Sequence, residues 1–226
     1  VISHEINDST IRLLNRHNVE VVVLPEIDCC GSLNHHLGKK ELAHSSFKKN
    51  INLWHEEYLK NGLDAIISNT SGCGTTLKDY GFIFRDDKDL TKKAKKISEL
   101  TKDITEFLDE NLKLDFKKND EKKYKIAYHS ACSMQHGQKV HSQPVSLLEK
   151  TNNEIMEFPE GHICCGSAGT YNILQSKIAK QLLKKISPNE GATTTLIPKS
   201  LRAQTACSLL EPHPKLSSAI RTLIPK

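Results

Sequence analysis

At 226 residues the chain is long enough for one large domain or two small ones with real cores. Charged residues make up 26% of it, the mean hydropathy is negative and no apolar run is long enough to span a bilayer, so a globular protein without a membrane helix is the default. The net charge of +5 reflects lysines gathered between residues 88 and 125, where acidic residues are interleaved and no aromatic platform accompanies them; this pattern suits a solvated helix face and linker rather than a nucleic-acid surface.

Taken in chain order, the sequence opens at Val1 inside a helical pattern, "VISHEINDSTIRLLNRHN", so a piece of a longer protein is expected. A short apolar strand, "VEVVVL", follows and runs through a proline-led turn into Cys29 and Cys30. Ala43, Phe47, Ile51, Trp54 and Tyr58 then recur at helical spacing, predicting one buried stripe that Gly62 ends. "LDAIIS" (63–68) reads as a buried strand leading into "NTSGCG" and Cys73. Leu90, Ala94, Ile97, Leu100, Ile104 and Leu108 predict a single amphipathic helix, and the polar "KKNDEKK" after it places a domain boundary near residue 118, dividing the chain into 1–118 and 119–226. A further strand, "YKIAYHS" (124–130), leads into Cys132.

The chain repeats itself. "IRLLNRHNVEVVVLPEIDCCGS" from Ile11 aligns with "VSLLEKTNNEIMEFPEGHICCGS" from Val145, with one extra residue before the second cysteine pair, Cys164–Cys165. Two homologous halves of alternating strands and helices predict an α/β fold: two cysteine-rich domains, each a small, mostly parallel sheet with flanking helices and with its site on loops at the carboxyl ends of strands. The separation from Cys30 to Cys73 nearly equals that from Cys165 to Cys207, and superposing the halves predicts a partner for Cys132 upstream of Val1.

Four soft, anionic ligands on strand-end loops are what an iron-sulfur cluster requires. Vicinal cysteines suit one tetrahedral zinc poorly, because neighbouring side chains diverge and the C-x-x-C spacing is missing. A cluster offers several irons, and the glycine after each pair lets the backbone turn tightly past a bulky inorganic core. The candidate ligands are therefore Cys29, Cys30 and Cys73 in the first half and Cys132, Cys164 and Cys165 in the second, with Cys207 as a further thiol. Buried structural cysteines, a zinc or scaffold module and thiol-disulfide catalysis remain alternatives. His129, His136, His141 and His162 lie near the cysteines and stay unassigned, no nucleotide-binding glycine motif is matched, and no substrate-converting or catalytic residue is identified.

These residues resemble the CCG cysteine-rich domain, which occurs in pairs in heterodisulfide reductases, lactate-utilization iron-sulfur proteins and glycolate oxidase iron-sulfur subunits. The chain is most similar to the last group, through "HEINDSTIRLLNRHNVEVVV", "CCGSLNHHLGKKE", "TSGCGTTLKDYGFIFRDD", "YHSACSMQHGQK" and "PEGHICCGSAGTYNILQ". The resemblance implies the electron-transfer subunit of an oxidoreductase complex of the glycolate dehydrogenase type. Such a subunit would carry [4Fe-4S] clusters and receive electrons from FAD-containing partners that convert glycolate to glyoxylate. It would pass them toward quinone, from a cytoplasmic position or a peripheral one at the inner face of the cell membrane. Family members also carry an amino-terminal ferredoxin-like module whose cysteine motifs do not occur in these residues. After Ile186 the sequence departs from the family pattern: it is rich in proline, no glycine precedes Cys207, and the tail is expected to fold poorly.

Overall fold

The computed structural model describes residues 4–114, 124–151, 153–156, 161–167, 169–185, 195–196 and 218–222. It is an α/β structure of two compact units, Val1–Ile104 with Leu210–Lys226, and Thr105–Leu209.

In the first unit, α1 (His4–Arg16) turns through Asn18, which has a left-handed φ of 60°, into β1 (Val19–Val22). The cysteine-pair loop follows, then α2 (Ser32–His36), α3 (Lys40–Asn61), β2 (Ala65–Ser68), α4 (Ser71–Ile83), α5 (Thr91–Leu100) and β3 (Thr101–Asp103). The apolar stripe of α3 places Ala43, Phe47, Ile51 and Trp54 fully inside, against Ile66 of β2, Leu77 and Tyr80 of α4, and Ala94 and Ile97 of α5. Each large side chain buried there contributes roughly 1.5–3 kcal/mol. Gly62 ends α3 as the sequence predicts, donating its N–H to the Tyr58 carbonyl at 3.1 Å with φ 79°.

The sheet runs β1-β7-β2-β3, where β7 is Ser218–Thr222. Strands β2 and β3 are parallel, with Ile66 opposite Thr101, whereas β7 is antiparallel to both its neighbours, with Val19 opposite Thr222 and Ala65 opposite Ile220. The tail, expected to fold poorly, thus contributes a strand. Strands β1 and β2 do not pair with each other, and β7 supplies backbone partners to both.

The single helix expected over residues 90–108 is instead broken in two. Thr101 directs its hydroxyl back to the Ile97 carbonyl at 2.8 Å, and Thr101–Asp103 leaves the helix to pair with β2 before α6 (Ile104–Asn111) begins. The apolar series Leu90, Ala94, Ile97, Leu100, Ile104 and Leu108 runs through the break, with the buried polar residues Thr101 and Asp103 between its members. Tertiary pairing with β2 overrides the local pattern.

In the second unit, β4 (Lys125–Tyr128) is central and parallel to both β5 (Glu154–Met156) and β6 (Thr195–Leu196). Between β4 and β5 lie one π-helical turn, Ser133–Gln138, and α7 (Gln143–Glu149), with Pro144 in its first turn. Helices α8 (Tyr171–Leu174) and α9 (Ser176–Lys185) follow the second cysteine pair. Asp109 of α6 accepts hydrogen bonds from Ser146 Oγ at 2.9 Å and Lys150 Nζ at 2.7 Å, tying α6 to the α7 segment. Among the described residues, no helix is long and apolar enough to cross a membrane.

Candidate metal centre

The first unit brings Cys29, Cys30 and Cys73 together. The pair lies on the loop between β1 and α2, while β2 ends at Ser68 and delivers Cys73 into the first turn of α4. Cys30 Sγ is 3.0 Å from Cys73 Sγ, and the Cys29 and Cys30 side chains are also in contact. The three thiols are free; Cys30 is buried and the other two are half-buried.

The backbone around this pair is held from behind. Asn50, fully buried on α3, accepts the Asp28 N–H at 2.9 Å and donates to the Asp28 and Cys29 carbonyls at 3.3 and 3.1 Å. The Tyr80 hydroxyl donates to the Cys30 carbonyl at 3.0 Å. The Gly31 N–H faces Cys29 Sγ and the Ser32 N–H faces Cys30 Sγ.

The second unit gathers a related triad, in which the vicinal pair is met by the thiol that precedes it in sequence rather than by the one that follows. Cys132 follows the carboxyl end of β4 and meets Cys164, with Cys165 close by; all three are free and half-buried. The Gly166 N–H donates to Cys164 Sγ at 3.3 Å, and the Ser167 N–H faces Cys165 Sγ. Each thiol of each vicinal pair therefore receives the backbone N–H two residues further on. The loops are held differently: His129 Nε2 meets the Ile163 carbonyl at 3.0 Å, and Gln135 in the π-helical turn donates to the Ser130 and Gly161 carbonyls at 2.8 and 3.3 Å.

The glycines that follow the pairs have a structural cause of their own. Gly31 and Gly166 have φ of 74° and 83°, the left-handed region that strains other residues. A Cβ on Gly31 would lie 2.4 Å from Phe47 Cε1, and one on Gly166 would lie 2.5 Å from the Ala179 carbonyl oxygen. In each unit the tight approach is to the following long helix, α3 or α9. The sequence suggested close approach to an inorganic core, but the packing already requires glycine.

Mutual contact and burial hold the protons on Cys29, Cys30, Cys132 and Cys165 in the metal-free protein. Cys29 is driven far above its ordinary value, chiefly by its contact with Cys30 and then by burial. For Cys30 the Cys29 contact acts downward, but Cys73 and complete burial outweigh it. Burial and then the Cys164 charge push Cys132 up to about 11, and burial raises Cys165. A metal must displace these protons, so loading is linked to pH.

The donor set fits a thiolate-bound inorganic group. Backbone N–H groups aimed at sulfur stabilise thiolate over thiol. In the second unit the Ser130 and Ser167 hydroxyl oxygens are buried with no hydrogen-bond partner, two residues before Cys132 and two after Cys165. Both could donate to sulfur. Among the described residues, no group of three or more His, Cys, Asp or Glu is arranged to hold a single metal ion. Cys207 lies outside the described residues.

Asn50, Tyr80, Gln135, Ser130 and Ser167 were not singled out by sequence reasoning. A signal for Asn50 existed: an asparagine set between Phe47, Ile51 and Trp54 on the buried stripe of α3 needs internal partners, and the nearby loop provides them. Tyr80, one turn from Leu77, shows no comparable sign.

Fold and site together define a duplicated α/β protein that gathers thiols on strand-end loops in each of two units. The chain belongs to the CCG family, described as "Cysteine-rich domain", which matches residues 3–78 and 126–193. It is 33% identical over 181 residues to the glycolate oxidase iron-sulfur subunit of Escherichia coli (strain K12), covering 80% of this chain and 44% of that protein. It is 32% identical over 195 residues to the probable glycolate oxidase iron-sulfur subunit of Bacillus subtilis (strain 168), covering 84% of this chain and 42% of that protein. With lactate utilization protein A of Anoxybacillus flavithermus (strain DSM 21510 / WK1) it shares 26% over 180 residues, 79% of this chain and 72% of the relative. The chain spans less than half the length of the two glycolate oxidase relatives. No solved structure matches significantly.

Proposed function

We propose that this chain is the cluster-binding part of an iron-sulfur electron-transfer subunit in an oxidoreductase complex of the glycolate-oxidising type. The observation that carries the reading is the thiol cluster in each unit, with backbone N–H groups directed at both sulfurs of each vicinal pair. Cys29, Cys30 and Cys73 would hold one group and Cys132, Cys164 and Cys165 another, with Cys207 as the further ligand that its spacing suggests. A bound cluster, of the [4Fe-4S] type, supplies one-electron transfer without proton chemistry of its own. The protein's residues hold the ligands, limit water access and direct hydrogen bonds at sulfur.

In this reading the substrate is converted on flavin-containing partner subunits and the electrons proceed toward quinone, in the cytoplasm or at the inner face of the membrane. The likeness to lactate utilization protein A, most of whose length is covered, favours a second reading in which the complex oxidises lactate. Activity of the co-purified flavin partner with glycolate or lactate separates the two.

The test of the cluster is iron, acid-labile sulfide and zinc per chain after anaerobic reconstitution of the wild type, Cys30→Ser and Cys132→Ser. Iron and sulfide in equal amounts, reduced by each substitution, is the expected result. Zinc alone, or iron unaffected by either substitution, overturns the reading.

A further inference from the structure

We propose that Tyr80 is a positioning residue for the first cysteine pair: by anchoring the Cys30 carbonyl it holds the Gly31 N–H on Cys29 sulfur, and so sets the redox potential of the group bound there. The planarity of the peptide bond links the two contacts. In a trans peptide the carbonyl and the following N–H are rigidly held and point in opposite directions. The Tyr80 hydroxyl takes the Cys30 carbonyl at 3.0 Å on one side, and the Gly31 N–H of the same peptide emerges toward Cys29 Sγ on the other.

The neighbouring peptides are fixed by the same logic. The Gly31 carbonyl accepts the His35 N–H at 3.0 Å in the first turn of α2, which aims the Ser32 N–H at Cys30 Sγ. The Cys29 carbonyl is taken by Asn50 at 3.1 Å. Three successive carbonyls are therefore each taken by a protein donor, while the amides of Gly31 and Ser32 face sulfur.

Tyr80 can hold this geometry firmly. Its side chain is fully buried, its ring packs 4.8 Å from that of Phe47, and its hydroxyl hydrogen-bonds the loop. Hydrogen bonds to cluster sulfur are among the main controls on potential, because they stabilise the more negative reduced state. A residue that touches no sulfur would thus tune the potential through one peptide plane. The effect on potential rests on the cluster reading above; the effect on the amide does not.

The experiment uses the full chain carrying Tyr80→Phe, which removes only the hydroxyl, beside Phe84→Leu, which loosens the same core without touching the Cys30 carbonyl. In the metal-free protein, amide hydrogen exchange is followed by NMR at Gly31 and Ser32 against Ile66 and Ile67 of β2. Tyr80→Phe is expected to accelerate Gly31 on the order of tenfold relative to Ile66, the scale of one lost hydrogen bond. Phe84→Leu should leave that ratio unchanged. In reconstituted protein, Tyr80→Phe should shift the midpoint potential of the first-unit group negative. An unchanged Gly31 ratio, or an unchanged potential on an assembled group, overturns the proposal. If the wild type assembles no group at all, the cluster reading fails, and the exchange ratio still decides whether Tyr80 positions the loop.

Discussion

Replacing Gly31 by alanine tests whether the cysteine-pair loop is shaped by the helix beneath it. Two costs apply. An L-residue held at a φ of 74° is disfavoured by about 1–2 kcal/mol. The new methyl would also sit 2.4 Å from Phe47 Cε1 and 3.2 Å from the Ala43 carbonyl oxygen. Phe47 cannot simply step aside, because its ring is enclosed by Tyr80, His35, His44 and Phe84 with centroids 4.8 to 6.2 Å away. Overpacking of this kind costs about 1–3 kcal/mol, so the total is roughly 2–5 kcal/mol. That is a large share of the ~5–15 kcal/mol by which a domain is usually stable. Gly38 provides the control: its φ is also 74°, but nothing lies within 4 Å of its Cβ position, so Gly38→Ala should show the conformational cost alone. The assay is equilibrium urea unfolding of the metal-free protein, with Gly31→Ala also combined with Phe47→Leu. The combination should cost less than the sum of its parts, since the smaller side chain relieves the clash. Gly31→Ala matching Gly38→Ala within about 0.5 kcal/mol would refute the packing explanation.

Asn50→Leu should destabilise the first unit by about 2–4 kcal/mol, because it strips partners from the Asp28 N–H and from the Asp28 and Cys29 carbonyls; urea unfolding reads the loss. Asp109→Asn should cost less than about 1 kcal/mol and the difference should shrink with added salt, since the Asp109–Lys150 pair is partly exposed although Lys150 and Ser146 hold the carboxyl below its ordinary range. Metal-free protein should lose stability as pH rises from about 9 toward 11. The folded state keeps the Cys132 proton up to about 11 while the unfolded chain releases it near the ordinary value of 9.0, so the contribution is fully present below that value and lost above it. Cys132→Ser should flatten that alkaline slope in thermal melts.

The legible parts of the fold were those whose signal is local. The α3 stripe, its glycine stop and strands β2 and β4 follow from side-chain periodicity and chain punctuation, and the duplication follows from two matching cysteine loops. Where local pattern and tertiary pairing disagree, the pattern misleads: residues 90–108 keep a helical apolar rhythm, yet Thr101–Asp103 leave the helix to pair with residues 66–68 of β2. Strand β7 was illegible for the same reason, since its role is to fill the space between β1 and β2 from far along the chain. The thiols of the candidate site could be named from residue type and spacing. The groups behind them could not, because Asn50, Tyr80 and Gln135 act on backbone carbonyls, and neither their type nor their spacing records which peptide they will meet.

The two units keep the same thiol loop in different surroundings, and that difference predicts two distinct potentials. In the first, Cys30 is buried beside Tyr80 and the aromatic core, and the supporting donors, Asn50 and Tyr80, are committed to carbonyls. In the second, all three cysteines are half-buried, and two hydroxyls, Ser130 and Ser167, remain available to donate toward sulfur. Adding an electron adds negative charge, which a dry site resists and which solvent and extra donors favour. If each unit assembles its group, the second-unit group should therefore have the higher potential. Titration of the reconstituted chain should resolve two waves, with Cys132→Ser removing the higher and Cys30→Ser the lower. Ser130→Ala combined with Ser167→Ala should move the higher wave toward the lower while leaving the lower in place. A wild-type titration with one wave, or loss of the lower wave in Cys132→Ser, would mean that burial and hydroxyl donors do not order the two sites.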